Sequence, residues 1–171
     1  MMALGGTAAA KSTQSFTDAQ VVVLRVQGGD YAVPINRVQE IVRVPEITRV
    51  PHAQAGVEGV INLRGRVLPV VDLAARLALG ITKRERSARV VVVDGGSESI
   101  GLLVDGVSEV LRVSAADVEP PSATTTGNGP TAVLGVAKLG ERLVLLLDLD
   151  AALVGAAIDF QPPPQLAAPV T

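Results

Sequence analysis

Apolar segments of strand length alternate with Gly, Asp and Pro punctuation from about residue 19 to residue 160. Ten of them read as strands: 21–26, 31–34, 38–44, 57–63, 67–71, 89–93, 99–104, 108–113, 133–139 and 143–147. Three short connections read as hairpin turns, namely Gly28-Gly29-Asp30, Arg64-Gly65 and Gly140-Glu141. Helical signals are few. Leu73 and Leu77, with alanines between them, follow Asp72 as a plausible N-cap and precede Gly80, and Asp148 or Asp150 opens a similar segment through residue 157. Residues 117–130, with Pro120-Pro121 and a run of Thr, Gly and Asn, read as a loop. Residues 1–18 read as a flexible leader, and 161–171, with four prolines, as a disordered tail.

The strand pattern repeats. A shift of 69 positions lays 21–24 on 90–93 and 38–44 on 107–113, with four of the latter seven residues identical. A shift of 76 lays 57–73 on 133–149, with seven of seventeen identical, among them Gly59 on Gly135 and Asp72 on Asp148. Ten strands in two copies predict an all-β protein of two small barrels, one at about 21–86 and one at about 87–150, with a C-terminal helix at about 148–157 packed on the body. A unit of about 65 residues with an aliphatic core is marginal alone, so the two copies are expected to bury a common apolar interface.

Composition narrows the chemistry. Nearly half of the residues are apolar, yet Phe16, Tyr31 and Phe160 are the only aromatics, and Trp and Cys are absent. Val, Leu, Ile and Ala must therefore fill the core. A net charge of −2 with almost no aromatics disfavours nucleic-acid binding by stacking. Without Cys and with His52 alone, zinc sites, disulfides and His-based triads lose their ligands or bases. No cofactor is expected. The longest apolar runs are strand-length, far below the roughly 20 residues of a membrane span, and no secretory signal pattern opens the chain, so a cytoplasmic location is expected.

Duplication separates scaffold from function. Gly59 and Gly135 read as backbone requirements, and Asp72 and Asp148 as helix caps. Glu40 and Glu109, at matched strand positions, read as exposed solubilising residues. The copies differ at one turn, where Asn62-Leu63-Arg64-Gly65 faces Lys138-Leu139-Gly140-Glu141. Arg64 is either an ordinary solvated arginine or a binding contact, since its planar fork of donors suits recognition. Gly28-Gly29 and Gly95-Gly96 lack the pattern of a phosphate loop, and Lys83-Arg84-Glu85-Arg86 reads as a solvated face on the connector.

The run Asn62-Leu63-Arg64-Gly65 followed by Val67-Leu68-Pro69-Val70-Val71-Asp72-Leu73, with Pro34-Ile35 and Val38-Gln39-Glu40-Ile41 before it and Val104-Asp105-Gly106-Val107 after it, closely resembles CheW, the adaptor family of bacterial chemotaxis. The resemblance implies two intertwined five-stranded SH3-like barrels and no catalytic activity. It implies coupling of the histidine kinase CheA, through its regulatory domain, to the cytoplasmic tips of chemoreceptors, in arrays built from a chain that is a monomer in isolation, with no membrane insertion. Carried over, the receptor-binding residues are Val38, Glu40, Gly59, Asn62, Arg64, Gly65, Gly101 and Val110, and the kinase-binding residues Val44, Ile47 and Arg49. The alternatives are the same adaptor role in twitching or another kinase pathway, and a small β-barrel enzyme using carboxylates such as Asp72 and Glu58.

Overall fold

In the strand Arg89–Asp94, Val90 and Val92 face one apolar cluster while Val91 and Val93 face another, and in the strand Ala19–Val26 Val21 and Val23 divide from Val22, Leu24 and Val26 in the same way. Strands buried on both faces need no polar alternation, which explains the unbroken valine runs. The computed structural model describes residues 19–51, 56–96, 98–120 and 132–153. Its strands are β1 (Ala19–Val26), β2 (Gly29–Pro34), β3 (Val38–Arg43), β4 (Val57–Leu63), β5 (Arg66–Asp72), β6 (Arg89–Asp94), β7 (Ser99–Val104), β8 (Gly106–Val113), β9 (Val118–Glu119), β10 (Val133–Leu139) and β11 (Arg142–Leu147). One-turn helices α1 (Leu73–Arg76) and α2 (Leu149–Ala152) follow β5 and β11, and short 3-10 turns occupy Ile35–Arg37 and Ala115–Asp117.

The strands form two sheets, ordered β8-β1-β2-β11-β10-β9 and β3-β6-β7-β5-β4. Each sheet takes strands from both sequence copies. The expected division at residues 86 and 87 therefore does not describe how the sheets partition: β1 and β2 join the second copy's sheet, where β1 pairs with β8 and β2 with β11, and β6 and β7 join the first, where β6 pairs with β3 and β7 with β5. Val21, Val23, Ala32, Val144 and Leu146 fill the six-stranded sheet, and Ile61, Leu68, Val70, Val90 and Leu103 fill the five-stranded one. Between them lies a larger common core of Val22, Leu24, Val33, Val91, Ile100 and Leu102, closed by Leu73, Leu77, Leu149 and Leu153 from the two helical segments. Tyr31, buried at its edge, has its phenol pKa pushed up by desolvation.

Internal symmetry extends to the irregularities. Gln39 in β3 and Ser108 in β8, 69 positions apart, are each the extra residue of a bulge, as are Glu58 in β4 and Leu134 in β10, 76 apart. The bulge at Gln39 lets Val38 turn to the common core while Val42 faces the barrel interior. Three local expectations change. The first hairpin turns at Gln27-Gly28, both at positive φ, with Gly29 and Asp30 already in β2. The expected loop at 117–130 opens with β9, which pairs with β10, and the rest of it lies outside the described residues. The C-terminal helix is described only as α2, and residues 154–157 of the expected span, the leader up to residue 18 and the proline-rich tail also lie outside.

Polar ties seat the connector. The 99%-buried Asp72 carboxylate caps α1 at Ala74 N–H (3.1 Å) and also accepts from Thr82 N–H (3.0 Å) and Thr82 Oγ1 (2.6 Å), and Asp148 caps α2 through Ala151 N–H. Arg37 joins the sheets, donating to the Asp94 carbonyl at 3.1 and 2.7 Å and pairing with Asp150. Because β6, β7 and β8 depend on β3, β5 and β1, a fragment of residues 87–160 is expected to show no cooperative thermal transition by circular dichroism, whereas mixing it with residues 19–86 restores one. A stably folded 87–160 fragment contradicts the common core.

Candidate partner-binding site

The β4–β5 hairpin turns on two residues, Arg64 at φ +56° and Gly65 at φ +86°, the mirror-image turn that suits a twisted hairpin. Left-handed backbone costs a non-glycine residue on the order of 1 kcal/mol, and Asn62 offsets part of this by accepting the Gly65 N–H at 2.9 Å. The result is a rigid tip with the Arg64 side chain 77% exposed, paired through two contacts of 3.2 and 3.3 Å with Glu40, which is 27% exposed. Glu40 lies on β3, at the opposite edge of the sheet from β4. The pair and the Thr48–Val60 backbone bridge thus close the sheet into a barrel. An exposed pair of this kind contributes roughly 0.2–1 kcal/mol, so its larger effect is to aim the guanidinium.

Around this tip the other expected receptor-binding residues divide. Val38 is half-buried against the common core, and Val110 on β8, 48% exposed, is the matched position of Ile41, 41% exposed. Gly59 and Gly101 are buried and offer no surface. At Gly59, φ +152°, a Cβ would sit 2.1 Å from the Thr48 carbonyl oxygen, and at Gly101 it would sit 2.7 Å from Val90 Cγ1. Both glycines act through close packing. Val110 lies on the six-stranded sheet and the Glu40–Arg64 pair on the five-stranded one.

The expected kinase-binding residues lie along the segment that crosses β4. Val44 and Ile47 are half-buried against Ile61, Leu68 and Val90, Arg49 is exposed, and the Arg49 Cα lies 3.0 Å from the point where Gly59 would carry a Cβ. Residues 44–49 therefore plug the barrel as well as line its surface, a role that sequence reasoning missed. Gly135 repeats the arrangement under β9, with a Cβ position 2.9 Å from the Glu119 carbonyl oxygen.

The second copy uses different partners. Arg142, the counterpart of Arg66, pairs with Asp30 at 3.0 Å and with Glu109, and these carboxylates, Asp30 foremost, raise its already high pKa. Arg66 instead donates to Ser99 Oγ (3.0 Å), which donates to Gln39 Oε1 (2.7 Å). Glu40 is thereby left to the turn arginine, which has no counterpart at Gly140. Sequence duplication held this signal, since Glu40 and Glu109 match while Arg64 does not.

The carboxylates named for an enzyme are otherwise engaged. Asp72 is buried and fully bonded, and Glu58 pairs with Arg84 at 2.6 Å. His52 lies outside the described residues. Among the described residues no helix is long and apolar enough to cross a membrane, and no three His, Cys, Asp or Glu side chains gather as a metal site requires.

The two barrels interlock, and the five-stranded one presents Arg64 on its β4–β5 turn beside Glu40. A family profile described as a CheW-like domain matches residues 20–156. The chemotaxis protein CheW of Rhizobium meliloti (strain 1021) is 36% identical over 131 residues, covering 77% of this chain and 84% of that protein, and its counterpart in Thermotoga maritima is 31% identical, covering 77% and 85%. The crystal structure of the scaffolding protein TtCheW from Thermoanaerobacter tengcongensis superposes with a TM-score of 0.69 at 32% identity, covering 77% of this chain and 89% of that one. The chain belongs to the CheW family of chemotaxis scaffold proteins, and it is not an enzyme.

Proposed function

We propose that this chain couples the cytoplasmic tips of chemoreceptors to the histidine kinase CheA. The observation that carries the reading is Arg64, held out on a left-handed turn and aimed by Glu40. A receptor helix lays its apolar side against Val38 and Val110 and its polar side against Arg64 and Glu40, in the helix-in-groove mode. Glu40 takes one hydrogen from each of Nη1 and Nη2, and the Nε–H and the remaining Nη hydrogens of Arg64 are left for a partner. Asn62 and Gly65 shape the turn, and Gly59 and Gly101 keep the strands behind it close. The kinase's regulatory domain docks on the first barrel at Val44, Ile47 and Arg49. The complex is cytoplasmic, and many weak contacts combine in arrays.

The two contacts separate in pull-downs with a receptor signalling fragment and with the kinase's regulatory domain. Arg49→Glu is expected to weaken kinase capture about tenfold or more and to leave receptor capture unchanged, since Arg49 is exposed and its reversal does not touch the Arg64 turn. Equal loss of both partners, or of neither, contradicts the assignment of Arg49.

A further inference from the structure

We infer that the chain carries another recognition surface, an arginine-rich face that runs from β3 and β6 of the five-stranded sheet to β1 of the six-stranded one and takes an acidic polypeptide segment of a partner protein. Arg43 and Arg89 stand directly opposite each other in the β3–β6 register. Like charges in facing strand positions are destabilising. The internal duplication supplies the control: the matched pair in the other sheet is Arg112 opposite Gln20, a neutral partner. The first copy thus sets two arginines face to face where the second does not.

Other arginines converge on this pair. On one side, Arg43 lines a depression of about 540 Å³ with Arg84, Arg86 and the apolar Val44, Ile47 and Ala88. On the other, Arg89 lines one of about 450 Å³ with Arg25, Ser87 and Val107. Glu46 and Glu85 border the first and Asp105 the second, where its carboxylate already accepts the Gln27 N–H at 2.6 Å. Arg84 pairs with Glu58, whereas Arg25, Arg43, Arg86 and Arg89 make no salt bridge among the described residues. Glu46, Glu85 and Asp105 line the same depressions and make no salt bridge with these four arginines among the described residues, which leaves the face one positive charge in excess. The chain's net charge of −2 makes this local excess a feature of the face rather than of the whole.

The chemistry selects the occupant. Arginine forks bind carboxylates in bidentate fashion, and the apolar walls accept aliphatic side chains between them. A single-stranded nucleic acid would want stacking platforms, and Tyr31, the only aromatic among the described residues, is buried. The two depressions are concave, whereas a lipid surface is flat. The first depression shares Val44 and Ile47 with the proposed kinase contact, so the inference is tested through Arg43 and Arg25, whose variants leave Glu40, Arg64, Arg49, Val44 and Ile47 in place.

Fluorescence anisotropy of the full chain with a labelled short peptide of Glu-Glu-Leu repeats tests it. Binding is expected at about 50 mM salt and is expected to weaken at about 200 mM, as the Debye length shortens. Arg43→Gln and Arg25→Gln, on different sheets, should each weaken binding several-fold at equal salt, while Arg112→Gln leaves it unchanged and Arg43→Gln melts no lower than the parent, having lost a like-charge neighbour. If Arg43→Gln fails to fold, Arg25→Gln decides alone. Absence of peptide binding at the lower salt overturns the proposal, as does an Arg112→Gln loss equal to that of Arg25→Gln. Tighter binding of duplex DNA or phosphatidylserine vesicles than of the peptide overturns it equally.

Discussion

Arg64→Glu is expected to abolish capture of a receptor signalling fragment while the protein keeps its fold. The substitution exchanges a cation for an anion beside Glu40, so the aimed fork becomes two facing carboxylates. Reversal at a polar anchor costs binding on the order of 2–5 kcal/mol, which is enough to remove a modest interaction from a pull-down. Stability should change far less, because Arg64 is 77% exposed and its pair with Glu40 contributes roughly 0.2–1 kcal/mol. The double variant Glu40→Arg with Arg64→Glu separates the two effects. It restores the pair and the melting temperature but presents an acid at the turn, so receptor capture should stay lost. Recovery of capture in the double variant would show that the pair acts through stability alone.

The second large effect falls on Gly59. Its Cβ position lies 2.1 Å from the Thr48 oxygen, 2.8 Å from the Thr48 carbonyl carbon and 3.0 Å from the Arg49 Cα, all backbone atoms that cannot rotate aside. Gly59→Ala must therefore push the crossing segment off β4, breaking both 2.8 Å hydrogen bonds between Thr48 and Val60, and must also hold alanine at φ +152°. Lost hydrogen bonds, overpacking and backbone strain each cost about 1–3 kcal/mol. A loss on the order of 4 kcal/mol lowers the melting temperature by roughly 10–15 °C in a protein of this size. Gly135→Ala meets the Glu119 oxygen at 2.9 Å and Val118 Cγ1 at 3.2 Å, without a positive φ, and should cost less than half as much. A Gly59→Ala protein melting within about 3 °C of the parent contradicts the proposed plug. If the kinase docks on residues 44–49 as proposed, its capture should fall together with stability.

Local features of the fold were readable in the sequence because local residues cause them. Arg64-Gly65 is a turn whose glycine takes positive φ, and Asp72 caps the helix that follows it. The duplication was readable too, because matched bulges and glycines need matched residues. The crossing of the copies was not. Which sheet β1 or β6 enters is decided by pairings such as Val22 with Val110 and Val91 with Ile41, far apart along the chain, and an all-valine strand fits either sheet. β9 was missed because two residues show no period. The first turn was placed one residue late because two glycines follow Gln27, and only the register shows that the left-handed pair is Gln27-Gly28.

At the candidate site, sequence identified Arg64 and Glu40 separately, by contrast between the copies and by family resemblance. Their pairing was out of reach, since it depends on the sheet curling until its two edge strands meet. Val44 and Ile47 show the opposite limit. Their apolar character suited a docking surface equally well, and only burial against Ile61 and Leu68 reveals them as the barrel's plug. The cationic face was hidden for the same reason: Arg43 and Arg89 lie 46 positions apart in sequence and become neighbours through β3–β6 pairing.

The most direct test of coupling is co-sedimentation of the kinase CheA with membranes bearing chemoreceptors, measured as the chain is added. The coupling account expects kinase in the pellet to rise with added chain and to saturate, and to stay at background with Arg64→Glu. Kinase sedimenting equally without the chain, or equally with Arg64→Glu, would contradict it.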